Sequence, residues 1–361
     1  MAEIETKKDY NALGLKCGLE IHQQLNSRKL FCNCPSILRK DEPEFRIKRK
    51  LHAVAGESGE IDIAALYQTS LGKNFIYEGY DTTCLVELDE SPPHEINLEA
   101  LKIAIHISLL LNCKIVPLTQ IMRKTVIDGS NISGFQRTVL IAKDGWIETE
   151  SGKVGIQYVY LEEDAARKVS SSYASQKSGK EEDAARKVLG KEEGEIVYRL
   201  DRLGIPLVEI VTAPDIKTPE QAKEVALHIG GILRVCNVRR GIGTIRQDIN
   251  VSIRGHPRAE IKGFQDPKIF VKVVEKEIER QLRNLNEKKE LAPEVRGANL
   301  DGTTKYLRPL PGSARMYPET DLPLLKISRE IIDNAKKTLP KLKIDLTKEL
   351  EKDNLNKEMI S

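Results

Sequence analysis

Three short segments of the chain place carboxylates or an imidazole on or beside a predicted strand. They read GLEIH (18–22), YLEED (160–164) and PLVEI (206–210). Polar and apolar residues alternate in the first segment, so Glu20 and His22 share one face of that strand. Mg²⁺ prefers carboxylate, water and phosphate oxygens, which suits Glu163 and Glu209, and imidazole occurs beside carboxylates in mixed sites. Together the segments predict a divalent-metal site, whereas each alone is more typical of a solvated strand face.

A second group of candidates lies in segments rich in hydrogen-bond donors. Segment 122–138 predicts a ligand-binding loop, with a long surface hairpin as the alternative. The strand predicted at 244–254 alternates so that three polar residues share a face, and the glycines of 239–248 could hold an anion or simply form a turn. No GxxxxGK[ST] or GxGxxG motif is present. The polar candidates in these two segments are Arg123, Lys124, Asp128, Ser130, Asn131, Ser133, Gln136, Arg137, Arg246, Asp248 and Asn250.

Six cysteines are present, at positions 17, 32, 34, 84, 113 and 236. The N-terminus lacks an apolar signal core, which favours a cytoplasmic protein with free thiols. Cys32 and Cys34 form a CxC pair that would need a second pair of ligands to hold structural zinc, and no CxxC follows. The sequence also lacks GxSxG, so an amidase nucleophile is not evident.

Composition and periodicity outline the elements that must position these residues. A net charge of +3 over 361 residues excludes the strongly basic nucleic-acid binders, so such a partner would have to meet a local basic patch. Apolar stretch 98–113 is too short for a membrane span and predicts a buried helix. Short β-type runs fill 116–211, helical patterns follow at 219–234 and 271–290, and the Lys/Glu-rich tail from 328 predicts further helix.

One segment is repeated letter for letter. EEDAARKV occupies 162–169 and again 181–188, and SSSYASQKSGK lies between the copies. An identical copy this short is too local to be a solenoid repeat, and the composition between the copies is typical of a flexible linker. The repeat therefore predicts a duplicated segment that forms a loop.

Taken together, these segments resemble the GatB/GatE family, the tRNA-handling subunits of tRNA-dependent amidotransferases. The likeness runs from about residue 13 to residue 325, and as a set its long motifs are highly specific. The motifs that carry it are GLEIHQQL (18–25), LFCNCP (30–35), DTTCLVELDESPPHE (81–95), MRKTVIDGSNISGFQRT (122–138), LEEDAARKV (161–169), RLDRLGIPLVEIVTAPDI (199–216), GTIRQDINVSIRG (243–255), AEIKGF (259–264) and RMYPETDLP (315–323).

The resemblance implies an α+β fold: a cradle-like domain around an antiparallel sheet with flanking helices. On this basis we expect a flexible N-terminus at 1–12, the cradle domain at 13–325 with a flexible insertion near 170–193, and a short helical C-terminal extension at 326–361. Family members usually continue into tRNA-binding domains, and archaeal members usually carry an inserted domain before RMYPETD. Neither is recognisable in this sequence, so tRNA binding is the least secure of the implied properties.

The resemblance also implies an activity. Family members use ATP to phosphorylate the γ-carboxylate of glutamate mischarged on tRNA(Gln). Ammonia from an asparaginase-like glutaminase subunit then displaces the phosphate to give Gln-tRNA(Gln). The implied cofactor is Mg²⁺, with ATP as a substrate, and the implied assembly is a cytoplasmic hetero-oligomer without membrane association. The absence of an amidase motif from this sequence agrees with that activity, because the partner subunit releases the ammonia.

The resemblance assigns the family's residue roles to the positions of this chain that match the family's motifs. We assign the EED ligand to the first EEDAARKV copy because 158–161 gives that copy a preceding strand. The implied metal ligands are His22, Glu163 and Glu209. The implied catalytic residues are Glu20, Arg123, Lys124, Arg246 and Asp248, and the implied cofactor-binding residues are Ser133, Gln136, Asn250 and Arg315.

Two other functions remain open from the sequence. A homologue that has lost catalysis would serve as a binding module for the partner subunit. A ligase of ATP-grasp type would activate a small carboxylate without tRNA. Stimulation of ATP hydrolysis by Glu-tRNA(Gln) separates the first alternative from the amidotransferase, and activity on free glutamate separates the second.

Overall fold

The computed structural model describes residues 9–56, 59–169, 195–264, 269–312 and 315–342. Within these ranges the chain is an α+β protein built on a large, mostly antiparallel sheet, which confirms the predicted fold class. The insertion predicted near 170–193, with the second EEDAARKV copy, lies outside the described residues. So do residues 1–8 of the predicted flexible N-terminus and residues 343–361 of the predicted extension.

Strands outnumber helices along the described chain. In chain order the strands are β1 (Lys16–Gln24), β2 (Phe45–Arg49), β3 (Asn74–Gly79), β4 (Lys114–Ile115), β5 (Leu118–Thr119), β6 (Ile121–Thr125), β7 (Phe135–Thr149), β8 (Gly152–Glu163), β9 (Arg167–Lys168), β10 (Glu195–Arg199), β11 (Pro206–Thr212), β12 (Ile245–Ser252), β13 (Ala259–Phe264), β14 (Glu294–Ala298), β15 (Thr304–Pro309), β16 (Met316–Pro318) and β17 (Leu325–Lys326). The helices are α1 (Ile63–Ser70), α2 (Leu98–Leu110), α3 (Pro219–Val235), α4 (Phe270–Asn286) and α5 (Arg329–Lys337).

The main sheet has the order β15-β14-β13-β12-β1-β11-β8-β7-β6-β16 in the described chain, and β4 pairs with β7. Only the pairing of β13 with β14 is parallel among these neighbours. One face of the sheet is mostly apolar and buried, with Ile21, Val208 and Leu161 at 0% exposure. The opposite face carries the polar residues of the same strands, because side chains alternate along a strand.

Three helices cover the apolar face. Asn97 caps α2 by accepting hydrogen bonds from the backbone N–H groups of Glu99 and Ala100, and α2 is buried along most of its length. Thr218 caps α3, and Pro219 occupies its first turn, where a missing N–H costs nothing. These helices share one apolar core with the sheet and α4. Each fully buried Leu or Ile there stabilises the fold by roughly 1.5–3 kcal/mol.

A smaller sheet, with the order β2-β3-β10-β9, lies beside the main one and has its own aromatic core. Two of its tyrosines reach the loop between β6 and β7. The Tyr77 hydroxyl donates to the carbonyl of Gly129 (2.9 Å), and the Tyr198 hydroxyl donates to the carbonyl of Asp128 (3.1 Å). The small sheet therefore fixes a loop that borders the polar face of the large sheet.

The C-terminal part of the described chain packs onto the main domain. Strand β17 pairs with β5, and α5 contacts α2, where His106 Nε2 hydrogen-bonds the carbonyl of Ala335 (3.0 Å). Helix α5 lies within the extension predicted at 326–361. Among the described residues, no helix has the length and apolar character that a membrane crossing requires.

Candidate active site

Strand registers bring the predicted site residues onto the polar face of the main sheet. His22 on β1 lies directly opposite Glu209 on β11, and Glu209 lies opposite Tyr160 on β8. Directly opposed residues in antiparallel strands share a face, and so do residues two apart in one strand. The face that carries His22 and Glu209 therefore also carries Glu162, whereas Glu163 points to the other side.

His22, Glu162 and Glu209 form the centre of the site. Each offers one ligand atom, and these atoms all lie within 4.8 Å of one another. His22 Nε2 is 3.7 Å from Glu209 Oε2. Lys124 Nζ donates to Glu162 and lies 3.4 Å from Glu209 Oε2, so one ammonium serves two carboxylates. The prediction that Glu163 joins His22 and Glu209 is wrong by one residue.

Glu163 and Arg123 lie on the opposite, buried side of these strands. Glu163 accepts from Arg137, through its backbone N–H (3.3 Å) and its guanidinium (3.4 Å). Arg123 makes a two-pronged contact with Glu319 (2.7 and 2.8 Å) and lies over the ring of Phe135. Arg123 is opposite Arg137 in the register, which places both on the face away from His22. The predicted catalytic role of Arg123 is therefore not supported by its position.

Ser133, predicted to bind the cofactor, also lies away from the site. Its hydroxyl donates to the carbonyl of Phe135 (2.9 Å) and stabilises the turn that leads into β7. Its loop neighbours Ser130 and Asn131 line the cavity above the sheet instead. Gln136, at the start of β7, does reach the site, because its side-chain amide donates to Glu162 (3.1 Å).

The pKa shifts at the centre follow from burial and from unequal pairing. Burial and the charge of Glu209 raise the pKa of Glu162. Burial also opposes ionisation of Glu209, but the Lys124 ammonium and His22 hold the pKa of Glu209 well below its ordinary value. Burial lowers the pKa of His22, yet the Glu209 carboxylate, 3.7 Å from Nε2, raises it overall. The two carboxylates repel each other, and Lys124 compensates only part of their charge.

This donor set fits a magnesium ion. Two carboxylates and an imidazole converge on one point, and Mg²⁺ would complete its six positions with water or phosphate oxygens. A dication would also relieve the repulsion between Glu162 and Glu209. The residues that would hold it are therefore His22, Glu162 and Glu209.

A second carboxylate group adjoins the first on the same face. Ligand atoms of Glu20, Asp248 and Glu260 also lie within 4.8 Å of one another. Lys262 donates to Asp248 (2.6 Å) and also contacts Glu260. Asn250 donates to Glu20 (2.9 Å), so it supports the group rather than lining the cavity. Burial and the charges of Glu260 and Glu209 raise the pKa of Glu20.

A cavity of about 660 Å³ opens above both groups. Its wall includes Arg246, which donates to Asp164 (2.8 Å), and Arg315, which donates to the carbonyl of Thr125 (3.2 Å). Burial and the neighbouring charge of Arg315 lower the pKa of Arg308. Two guanidinium groups that repel each other at the wall of a cavity are suited to bind an anion between them. The cavity thus combines a carboxylate floor with a cationic wall.

Comparisons with known proteins match the part of the chain that contains the site residues. The sequence profile of the GatB/GatE catalytic domain matches residues 15–180 and 176–333. The E subunit of glutamyl-tRNA(Gln) amidotransferase from Methanocaldococcus jannaschii is 55% identical over 287 residues, which cover 78% of this chain and 42% of that protein. The protein of the same name from Sulfurisphaera tokodaii is 50% identical over 288 residues, which cover 79% of this chain and 42% of that protein.

A third relative aligns over more of its length. The E subunit of glutamyl-tRNA(Gln) amidotransferase from Pyrobaculum neutrophilum is 36% identical in an alignment that covers 91% of this chain and 73% of that protein. The chain belongs to the GatB/GatE family. It spans about two fifths of the length of the Methanocaldococcus and Sulfurisphaera proteins.

Several residues of this GatB/GatE site were not singled out from the sequence. Glu260 and Lys262 alternate within AEIKGF, so strand periodicity could have placed them on one face. Glu162 and Asp164 lie inside a quoted motif. Arg258 and Arg308 belong to none, and only the fold brings them to the cavity. The residues missed are Glu162, Asp164, Arg258, Glu260, Lys262 and Arg308, whereas Asp128, Ser130 and Asn131 of the predicted ligand-binding loop do line the cavity.

The GatB/GatE chain also gathers its CxC pair with more distant donors. Cys32, Cys34, Cys84 and Glu87 have ligand atoms within 4.8 Å of one another, so the fold brings two further donors to the CxC pair although no CxxC follows it. Three thiols and a carboxylate are donors of the kind that hold structural zinc. The Lys29 ammonium, fully buried, contacts Glu87 in the same place.

Proposed function

We propose that this chain uses ATP to activate the γ-carboxylate of Glu-tRNA(Gln) as an acyl phosphate. Ammonia supplied by an asparaginase-like glutaminase subunit then displaces the phosphate and gives Gln-tRNA(Gln). The observation that carries the proposal is the convergence of His22, Glu162 and Glu209 with Lys124 below a cavity with an arginine-rich wall. The names of the relatives support the tRNA substrate and the hetero-oligomeric setting. We place the reaction in the cytoplasm, where all six cysteines remain thiols.

The proposed chemistry needs positioning and charge compensation more than a nucleophilic side chain. When bound, Mg²⁺ would neutralise phosphate charge and orient the transferred phosphoryl group. The guanidinium groups of Arg308 and Arg315 would bind phosphate oxygens across the cavity wall. Lys124 holds Glu162 and Glu209 in place and keeps Glu209 ionised. The substrate carboxylate attacks the γ-phosphorus, and ammonia later attacks the acyl carbon, so the chain supplies no covalent intermediate.

The test is a Glu209→Gln variant assayed with the glutaminase partner, ATP, Mg²⁺ and Glu-tRNA(Gln). We expect Gln-tRNA formation to fall on the order of 100-fold, as for loss of a group that acts directly in charge stabilisation. Glu148→Gln, an exposed glutamate on β7, is the matched control and should retain full activity. A fully active Glu209→Gln protein would remove Glu209 from the site.

The same assay separates the competing functions. If the wild-type chain neither hydrolyses ATP in response to Glu-tRNA(Gln) nor forms Gln-tRNA, it acts as a binding module for the partner subunit. If it phosphorylates free glutamate without tRNA, it is a small-carboxylate ligase. Gln-tRNA formation that requires ATP, the partner and charged tRNA supports the amidotransferase.

A further inference from the structure

Two tyrosines form an aromatic ledge at the open end of the catalytic face. Tyr158 and Tyr160 lie two residues apart on β8, so both side chains are on the face that carries Glu162. Their ring centroids are 5.7 Å apart, and Tyr158 is 40% exposed. Leu140, opposite Tyr160, and Val211, opposite Tyr158, are only partly buried and extend the apolar surface.

This ledge contrasts with the rest of the face. The cavity floor beyond Glu162 and Glu209 carries carboxylates, and its wall carries lysine and arginine side chains. These surroundings suit phosphates. The wall also includes apolar side chains such as Val126, Leu307 and Leu310, but none of its described lining residues is a Phe, Tyr or Trp that could stack on a base. Tyr160 lies directly opposite Glu209, so the aromatic surface begins where the proposed metal ligands end. A substrate with a charged reacting end and a flat aromatic part would match both regions.

We propose that Tyr158 and Tyr160 form a stacking platform for the adenine base of a substrate, an inference that rests on the proposed function. Both substrates of that reaction contain adenine: ATP, and the terminal adenosine to which the glutamate of Glu-tRNA is esterified. Nucleobases stack on aromatic side chains with little dependence on which base is present, and stacking needs only an exposed ring face. The ledge supplies two such rings, one of them well exposed.

The spacing along the strand agrees with this assignment. At about 3.4 Å per residue, Tyr160 and Tyr158 lie roughly 7 and 14 Å from Glu162 along β8. An adenine joined to a reacting group through a ribose and a short chain of atoms needs a separation of this kind. Lys143, opposite Tyr158 on β7, is half exposed, and its ion pair with the exposed Asp144 is long (3.7 Å), so its ammonium is placed to meet a backbone phosphate at the outer end of the ledge. That cation and the open approach favour the terminal adenosine of tRNA over ATP as the source of the base.

Base-dependent binding by the 361-residue chain tests the proposal. The probes are ATP, a short RNA hairpin ending in CCA, and the same hairpin with its last nucleotide abasic. We expect Tyr158→Leu and Tyr160→Leu to weaken CCA-hairpin binding roughly tenfold, the effect of one lost base–aromatic stack. The affinity of wild type for the abasic hairpin should be as low as the affinity of the leucine variants for the CCA hairpin. The leucine variants should bind the abasic hairpin no more weakly than wild type does. Tyr158→Phe and Tyr160→Phe keep the ring and should bind like wild type.

The two sources of adenine give different results. Weakened hairpin binding assigns the platform to the tRNA terminus, and weakened ATP binding with an unchanged hairpin assigns it to ATP. If folded leucine variants bind both probes like wild type, the platform is refuted. If they weaken CCA and abasic hairpins equally, the tyrosines do not contact the base and the proposal also fails.

Activity measured in parallel keeps this test separate from the proposed function. A wild-type chain that makes Gln-tRNA while its leucine variants keep the same affinities and KM values refutes only the platform. A wild-type chain that makes no Gln-tRNA but shows base-dependent binding refutes only the function.

Discussion

At the scale of single residues, the register of β8 decides which neighbouring glutamate can do chemistry. Glu162 and Glu163 differ by one position, and consecutive side chains on a strand point to opposite faces. Glu162 therefore joins His22 and Glu209, and Glu163 pairs with the buried Arg137. Two identical residue types in one motif thus have different surroundings.

A matched pair of variants tests this assignment. We expect Glu162→Gln to reduce Gln-tRNA formation on the order of 100-fold and to weaken Mn²⁺ binding, measured as a Mg²⁺ substitute by calorimetry. Glu163→Gln should keep Mn²⁺ affinity and most activity, but should lower the free energy of unfolding by about 1–2 kcal/mol, because it removes a carboxylate acceptor from Arg137 while Arg137 keeps Glu319 (2.8 Å). Loss of Mn²⁺ binding in Glu163→Gln alone would restore the original assignment from the sequence.

At the scale of elements, periodicity predicted which side chains share a face within one strand and where individual helices lie. It placed Glu20 with His22, and Arg246 with Asp248, and it located α2, α3 and α4 to within a few residues. It could not decide which side of β6 or β8 faces the site. Those choices depend on pairings between strands far apart in sequence, such as β1 with β11, and on the irregularity between Leu140 and Ala142. A one-residue change in register reverses every side chain of a strand.

Glu319 connects the segment after β16 to the main sheet. It is fully buried and accepts hydrogen bonds from Arg123 (2.7 and 2.8 Å) and Arg137 (2.8 Å). We expect Glu319→Gln to lower the free energy of unfolding by about 3 kcal/mol at pH 7, measured by urea denaturation, because two buried cations lose their shared anion. Asp321→Asn is the control, since Asp321 is half exposed and 3.3 Å from the same Arg123, and it should cost less than about 1 kcal/mol.

The pH dependence of this difference has a defined sign. Burial opposes ionisation, but the hydrogen bonds from Arg123 and Arg137 lower the pKa of Glu319 below its ordinary value. A carboxylate with a depressed pKa stabilises the fold at neutral pH, and this contribution is lost as pH falls through the folded-state pKa. The stability gap between wild type and Glu319→Gln should therefore be full at pH 7 and narrow below about pH 4. A gap that stays constant into acid would show that Glu319 contributes through packing and not through charge.

At the scale of the whole molecule, the duplicated EEDAARKV raises the question of which copy completes the sheet. In the described chain the first copy does so: it supplies Glu162 and Glu163 to the end of β8, places Asp164 at the cavity and forms β9. Strand β9 then pairs antiparallel with β10, and Val169 N–H donates to the carbonyl of Val197 (2.9 Å). Everything that the site needs from this motif is thus supplied before residue 170.

We therefore expect a chain that lacks residues 170–188 to fold and to keep its activity. The deletion joins Val169 to Leu189 and leaves residues 189–194 before β10, which is ample for a connection between antiparallel strands. A shorter connection also costs less entropy to close, so thermal stability should not fall. Because removal of residues 162–180 would give the same sequence, point variants in the full chain must identify the working copy. Glu181→Gln should be as active as wild type, whereas Glu162→Gln should be inactive. The reverse pattern would place the second copy at the end of β8.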